Sequence, residues 1–433
     1  MITSFSLGLT GIGFMFLLLL LRQPVWLALA ICGIAGNFIL NSISMTKFVV
    51  GTGTFDIASG YALSVIPLFI LMGEVASGSR MSRDLFDAAR VVLSGLRGGL
   101  AIATIAASGA FGAICGSSVA TAASMTRIAL PEMRRAGYER GYAASSVAAG
   151  GSLGILIPPS IILVIYGSIS ETSVARLFAA SMIPGIILLL LYILVAWVLA
   201  KGAVVTGTGL IATFRERLIA ITRPWHFLLL FIATIGGIYT GVFSPNEAAS
   251  IGAFGAIVIG FLRRTLNWAG FVTAVQASVL ISCGLFLIII GAKIFAIFIV
   301  QTRLPDTLLY FFQNAEVSPF WVMLMIVVLY IVMGCFLEGI GMVLITVPVF
   351  LPVIEGYGFD PIWFGVLVAV LVELGLITPP VGMNLFIIRA QVENMTMGAI
   401  YRAILPFLVA PVILILLLFL KPNIALWLPN LLF

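Results

Sequence analysis

The residues of this 433-residue chain that could do chemistry are few, and they are not those of a soluble enzyme. One histidine (His226) leaves little to build a triad or a His-based metal site from. Four cysteines (Cys32, Cys115, Cys283, Cys335) lie far apart with no CxxC, which indicates neither a disulfide framework nor a zinc site. What stands out is backbone chemistry. Two Gly-containing runs, 150-GGSLGILIPPSI-161 and 373-ELGLITPPVGMN-384, are each broken by a proline pair. Proline removes a helix hydrogen bond and clashes with the carbonyl four residues back, so a pair frees several carbonyls. Freed carbonyls and half-helix ends suit a cation such as Na+, and half-helix N-termini suit an anion. A plain kink is the commoner fate of a single membrane proline, and two matched pairs argue against it.

Two further clusters, 115-CGSSVATAASM-125 and 334-GCFLEGIGM-342, interrupt long apolar stretches. Ser117, Ser118 and Thr121 supply hydroxyls there, and the glycines let backbone approach a ligand. Small-residue helix packing uses the same residue types, and the repeat described below favours ligand-bearing tips over it. Ionisable residues inside apolar runs are costly and functional by default; Glu74, Lys293, Glu338 and Glu373 qualify. Glu74 and Lys293, in corresponding spans, are candidates for a structural pair between the halves. Glu338 could hydrogen-bond the second tip or help hold a cation. Arg389 is expected to snorkel to the cytoplasmic interface, and His226 beside Trp225 reads as an interfacial anchor.

The elements that must position these residues follow from composition. The chain is 62% apolar and 9% charged, against about 45–50% and about 25% in a soluble domain. That excludes a soluble enzyme, a disordered chain and a nucleic-acid binder, and the net charge of +6 is scattered rather than patched. The expected fold is an all-α polytopic membrane protein. A span needs about 20 apolar residues, and runs at 5–21, 24–43, 57–77, 142–170, 183–203, 226–243, 247–262, 280–300, 362–388 and 403–420 give about ten. The first lacks a basic n-region and a cleavage site and reads as a retained span.

Two interrupted stretches, 98–131 and 319–352, read as re-entrant hairpins, because irregular backbone at membrane depth is tolerated only when buried or lining a cavity. On that topology 17 of the 22 Lys and Arg residues fall on one side. Lys47, Arg176, Arg303 and Lys421 fall on the other, and Lys293 within a span. The first side is therefore cytoplasmic, with both termini outside.

Sliding the chain on itself gives one register, at 221 residues. Leu130-Pro131 matches Leu351-Pro352, Gly137-Tyr138-Glu139 matches Gly358-Phe359-Asp360, and Leu153–Pro159 matches Leu374–Pro380 without a gap. The first matched loop carries four arginines and the second only Glu355 and Asp360, so the halves are inverted. The expected division is a first repeat over 1–210 (hairpin 98–131, broken helix 142–170) and a second over 211–433 (hairpin 319–352, broken helix 362–388). Inverted repeats with paired breaks are the signature of a secondary transporter.

The motifs GSSVATAASM, GGSLGILIPPSI, GCFLEGIGMVLITVPVFLPV and ELGLITPPVGMNLF, in this order, resemble the DctM-like large membrane subunit of tripartite ATP-independent periplasmic (TRAP) transporters, over essentially the whole chain. The resemblance implies the elevator architecture of the ion transporter superfamily. It implies Na+-coupled import of a carboxylate-bearing solute, such as a C4-dicarboxylate, a sialic acid or another sugar acid, delivered by a periplasmic binding protein. It also implies a small four-helix membrane subunit, expected here as a separate chain, and the bacterial inner membrane. Carried onto these residues, one Na+ site would involve Ser117, Ser118, Gly154 and Pro158, and the other Glu338, Gly339, Thr378 and Gly382. Substrate would lie near Ser118, Thr121 and Asn384.

A stand-alone ion-coupled carrier is the competing transport reading. A membrane-embedded lipid enzyme would need clustered Asp, His or Lys, and the acids here are dispersed. No Walker sequence supports ATP hydrolysis.

Overall fold

A computed structural model describes residues 4–203, 212–335, 337–392 and 395–433, and every regular element in them is helical. That is the outcome a bilayer imposes, since backbone groups in hydrocarbon must be satisfied within their own segment. The boundary expected between residues 210 and 211 lies outside the described residues. In chain order come α1 (Ser4–Leu20), α2 (Val25–Leu40), α3 (Ile43–Ser59), α4 (Tyr61–Gly78), α5 (Met81–Val92), α6 (Gly99–Cys115), α7 (Ser118–Arg135), α8 (Arg140–Ser152), α9 (Ile161–Ser170) and α10 (Val174–Ala203). There follow α11 (Phe214–Thr222), α12 (Trp225–Tyr239), α13 (Pro245–Leu262), α14 (Trp268–Gln301), α15 (Leu304–Asn314), α16 (Pro319–Gly334), α17 (Gly339–Gly356), α18 (Pro361–Ile377), α19 (Met383–Ala390), α20 (Met397–Leu420) and α21 (Asn423–Leu432).

The 221-residue register reaches the helix ends. Shifting α7 by 221 lands on α17 at both bounds, and shifting the start of α8 lands on the start of α18. The caps repeat too. Glu139 accepts from the backbone N–H groups of Gly141 and Tyr142, and Asp360 accepts from those of Ile362 and Trp363, the positions 221 further on. One element departs from the register. α3 and α4 together correspond to the single 34-residue helix α14, which at about 1.5 Å per residue is some 50 Å long. The break falls at Gly60, whose extended backbone stops α3. The Asn246 side-chain amide on α13 donates to the freed Tyr61 carbonyl and to Ser64 Oγ.

Five of the ten expected spans, α4, α10, α13, α14 and α20, are helices long and apolar enough to cross a bilayer unaided. α17 also passes that test, and the bent pair α11–α12, at 49°, would count as one more. α1 and α2 are shorter, at 17 and 16 residues. The two remaining expected spans are interrupted: 142–170 is α8 and α9 with a break between, and 362–388 is α18 and α19. The amphipathic α5 and the short α11 pack on one another, with an Arg217 guanidinium nitrogen donating to the Ser94 carbonyl at 2.9 Å.

α14 packs along α2, α3 and α4, and α13 lies on α4. α3 adds a stripe of Thr46, Val49, Gly53 and Ile57 to that group. The hairpin α6–α7 packs on α8, and α16–α17 on α18. The two groups meet where α4 touches α6 and α14 touches α17, and α4 also touches α7, the counterpart of the α14–α17 contact under the repeat.

Two expectations fail here. His226 is not an interfacial anchor: it is buried, with Nε2 2.9 Å from an Arg263 nitrogen and 3.4 Å from Asp84 Oδ2, while Trp225 alone stays exposed. The Asp84–Arg263 pair, at 2.8 Å, draws the imidazole inward between α5 and α13. Glu74 and Lys293 form no ion pair, because they line cavities at opposite ends of the α4–α14 pair.

Candidate functional site at the hairpin tips

The first tip is a two-residue turn. Gly116 takes φ +63°, and a Cβ there would stand 2.8 Å from the Pro159 carbonyl oxygen, so glycine is required on both counts. Ser117 is extended, and its Oγ accepts from Ala120 N at 3.4 Å, capping α7. Opposite it, the chain leaves α8, passes a tight turn at Leu153–Ile155, and regains helix only where Ser160 caps α9. Pro158 lies in that break, joined to Pro159 by a cis peptide bond.

Gly154 brings break and tip together. A Cβ on it would lie 3.1 Å from both the Ser117 carbonyl oxygen and Thr121 Oγ1, and one on Gly112 would lie 2.6 Å from the Gly154 Cα. Two missing side chains thus let hairpin and break touch backbone to backbone. Thr121 Oγ1 donates to the Ser117 carbonyl at 2.8 Å, which leaves its own lone pairs free to accept.

The second tip repeats the crossing. A Cβ on Gly334 would stand 2.8 Å from the Gly375 Cα, and Cys335 Sγ lies 3.5 Å from the Pro379 carbonyl oxygen. Thr378 leaves α18 extended, and its Oγ1 donates to the Leu374 carbonyl at 2.6 Å. Gly382 opens α19 at φ +62°, with the Thr378 carbonyl oxygen 3.3 Å from where a Cβ would stand. Thr378 and Gly382 are therefore neighbours, and Gly339 rests on Val372, which lies on α18 six residues before Thr378. Glu338 holds the N-cap position of α17, yet its carboxyl caps no backbone N–H. Among the described residues no three His, Cys, Asp or Glu cluster. The oxygens gathered at the tips are mostly neutral carbonyls and hydroxyls, a donor set that fits a hard cation.

Between the tips the two halves are tied directly. Asn384, at the start of α19, donates through Nδ2 to Ser118 Oγ at 2.6 Å, both side chains being buried. Asn384 Oδ1 has no hydrogen-bond partner. Of the three residues expected near substrate, Ser118 and Asn384 are bonded, while Thr121, one turn along α7, turns to Gly154.

A second tie lies alongside. Ser152 Oγ donates to Glu373 Oε1 at 2.7 Å, and Tyr192 OH does so at 3.4 Å. Residues 152 and 373 are 221 apart, so positions made equivalent by the repeat touch each other beside the axis relating the halves. The sequence singled out Glu373 but not Ser152, although the register already paired them. Tyr192, brought in by α10 packing on α18, carried no such signal.

Two cavities flank the meeting of the helix groups. One, of about 390 Å³, is mostly apolar and contains Lys293 and Glu171. The other, of about 500 Å³, lies at the far end of α4 and is lined by Glu74, Arg80, Arg83 and Arg127.

Comparison with known proteins bears on this geometry. Residues 12–424 match the family model described as the tripartite ATP-independent periplasmic transporter, DctM component. The C4-dicarboxylate TRAP transporter large permease protein DctM of Pseudomonas aeruginosa is 36% identical over 87% of this chain and 88% of its own length. The sialic acid TRAP transporter large permease protein SiaM of Vibrio cholerae is 29% identical over 94% and 97%. The solved YdaH transporter of Alcanivorax borkumensis shares the fold at TM-score 0.62 and 17% identity, over 90% and 91% of the two chains.

Proposed function

Because this chain belongs to the DctM component family of tripartite ATP-independent periplasmic transporters, we propose that it is the large permease subunit importing a small carboxylate-bearing solute on a Na+ gradient. The observation that carries this is the paired glycine crossing, Gly112 on Gly154 and Gly334 on Gly375, which sets each hairpin tip on its own proline break. Na+ binds among Ser117, Ser118, Gly154 and Pro158 at one tip, and among Glu338, Gly339, Thr378 and Gly382 at the other. Each ion orders its tip. The ordered tips complete a substrate site at Ser118, Thr121 and Asn384, where the unpartnered Asn384 Oδ1 supports a polar ligand.

The halves, 1–210 and 211–433, are inverted about the axis beside Ser152 and Glu373. The group holding hairpins and breaks moves as an elevator against the group built on α2, α4, α13 and α14. The two named relatives are carriers of a C4-dicarboxylate and of sialic acid, both carboxylates, which supports that solute class here. A periplasmic binding protein delivers the solute, a separate four-helix subunit completes the scaffold, and the arginine-rich face of the inner membrane protein is cytoplasmic with both termini outside.

Uptake by proteoliposomes holding the chain and its small subunit tests this, with and without inward Na+ and with and without the binding protein. Uptake should need both. Ser117→Leu and Thr378→Leu should abolish it while folded protein stays in the membrane. Uptake on Na+ alone would replace this reading by a stand-alone carrier, and normal Na+-dependent uptake by both variants would refute the site.

A further inference from the structure

We propose that the cavity walled by Arg80, Arg83 and Arg127 is a second, Na+-independent carboxylate site, where the solute rests after leaving the hairpin tips and before entering the cytoplasm. This rests on the reading above that the solute is a carboxylate and that this face is cytoplasmic. The cavity holds about 500 Å³, within the range of about 300–1,000 Å³ usual for small-molecule sites. Three guanidinium groups against the single carboxylate of Glu74 leave it two charges positive. None of the three arginines forms an ion pair among the described residues, whereas Arg90, Arg135 and Arg263 all do. Arg127 feels the charge of Glu74 across the cavity, while the guanidinium groups of Arg80 and Arg83 present planar forks that match a carboxylate.

The cavity is also joined to the tip. Ser124 and Arg127 follow one turn apart on α7, and both line the cavity. Ser124 Oγ and Ser77 Oγ are 2.9 Å apart, closing α7 onto α4. A Cβ on Gly73 would stand 3.0 Å from the Cys115 Cα, so Glu74 begins the cavity where α4 crosses the hairpin tip. The opposite cavity lacks these features: shifting Arg80, Ser124 and Arg127 by 221 gives Gln301, Ile345 and Pro348. Cations focused in a cleft raise the local concentration of an anion, here along the exit route.

The test uses the purified chain in detergent without Na+, with succinate as probe and saturation-transfer NMR as readout. The cavity reads carboxylate charge, so succinate serves whichever solute the tips select. Saturable binding is expected, weakening as salt is added. Arg80→Gln, Arg83→Gln and Arg127→Gln should each raise the apparent Kd about threefold to fivefold, and together they should abolish binding. Arg127→Lys should restore part of it. Arg135→Gln, which removes the same charge away from the cavity, should leave binding unchanged. Absence of Na+-free binding, or binding untouched in the triple variant, overturns the proposal. So does displacement of succinate by phosphatidylglycerol in mixed micelles with no reverse displacement, which would mark a lipid-headgroup pocket. Thermal unfolding of each variant confirms that it is folded. Succinate binding here alongside a failure of Na+-driven uptake would sink the transport reading and leave the cavity standing.

Discussion

Glu373 carries a buried carboxyl whose hydrogen-bond donors are both neutral hydroxyls, Ser152 at 2.7 Å and Tyr192 at 3.4 Å, and its Oε2 has no partner. Removing a donor from such a group exposes its desolvation cost, so Ser152→Ala should destabilise the protein by about 1–3 kcal/mol. Removing the acceptor as well should return part of that loss, because a cleanly apolar pair leaves nothing unsatisfied. The variants Ser152→Ala and Glu373→Leu should therefore couple by more than about 0.5 kcal/mol when combined, measured by unfolding in detergent. Strict additivity would mean that the 2.7 Å contact contributes nothing. Asn384 calls for a different readout. Asn384→Ala should lower solute affinity at saturating Na+ while the folded yield holds, since Ser118 can still donate to and accept from a ligand. An unchanged KM would remove Asn384 from the substrate site.

At the scale of elements, the fold depends on two places where a hairpin crosses a break with no side chain between. Gly112→Ala would put a Cβ 2.6 Å from the Gly154 Cα, and Gly375→Ala one 2.8 Å from the Gly334 Cα, backbone against backbone. Overpacking of this kind costs about 1–3 kcal/mol or more, and folded yield and uptake should fall together. Gly13→Ala and Gly284→Ala, where nothing lies within 4 Å, should be neutral or stabilising by up to about 1 kcal/mol. Equal behaviour of the two sets would mean that the crossings give way freely.

These crossings also mark what the sequence could tell. The 221-residue register, the proline pairs and the hairpin centres were legible because glycine and proline impose backbone geometry locally, and that geometry recurs in both halves. The partner of each side chain was not. The inward turn of His226 depends on Asp84 and Arg263, far away in sequence, and the separation of Glu74 from Lys293 depends on where α4 and α14 cross. The split of α3 from α4 at Gly60 was hidden too: it is held by Asn246, and the equivalent stretch of α14 runs on unbroken.

Across the whole molecule, the proposed cycle moves charge through the membrane, and this separates it from a passive carrier. Two Na+ ions with a monocarboxylate give one net positive charge per turn, and two with a dicarboxylate give none. A single charge crossing 100 mV releases about 2.3 kcal/mol, which at about 1.36 kcal/mol per factor of ten gives roughly 50-fold accumulation. Proteoliposomes clamped at 100 mV, inside negative, with a potassium gradient and valinomycin should concentrate a monocarboxylate solute by that factor beyond what the Na+ gradient alone drives. The arginine cavity adds a second consequence. Solute held there after release slows the return of the empty domain, so internal succinate should inhibit net uptake in the wild type and lose that effect in the Arg80, Arg83 and Arg127 triple glutamine variant. Accumulation of a monocarboxylate that ignores the potential would reduce the cycle to electroneutral exchange. Trans-inhibition that survives the triple variant would place product rebinding at the hairpin tips alone.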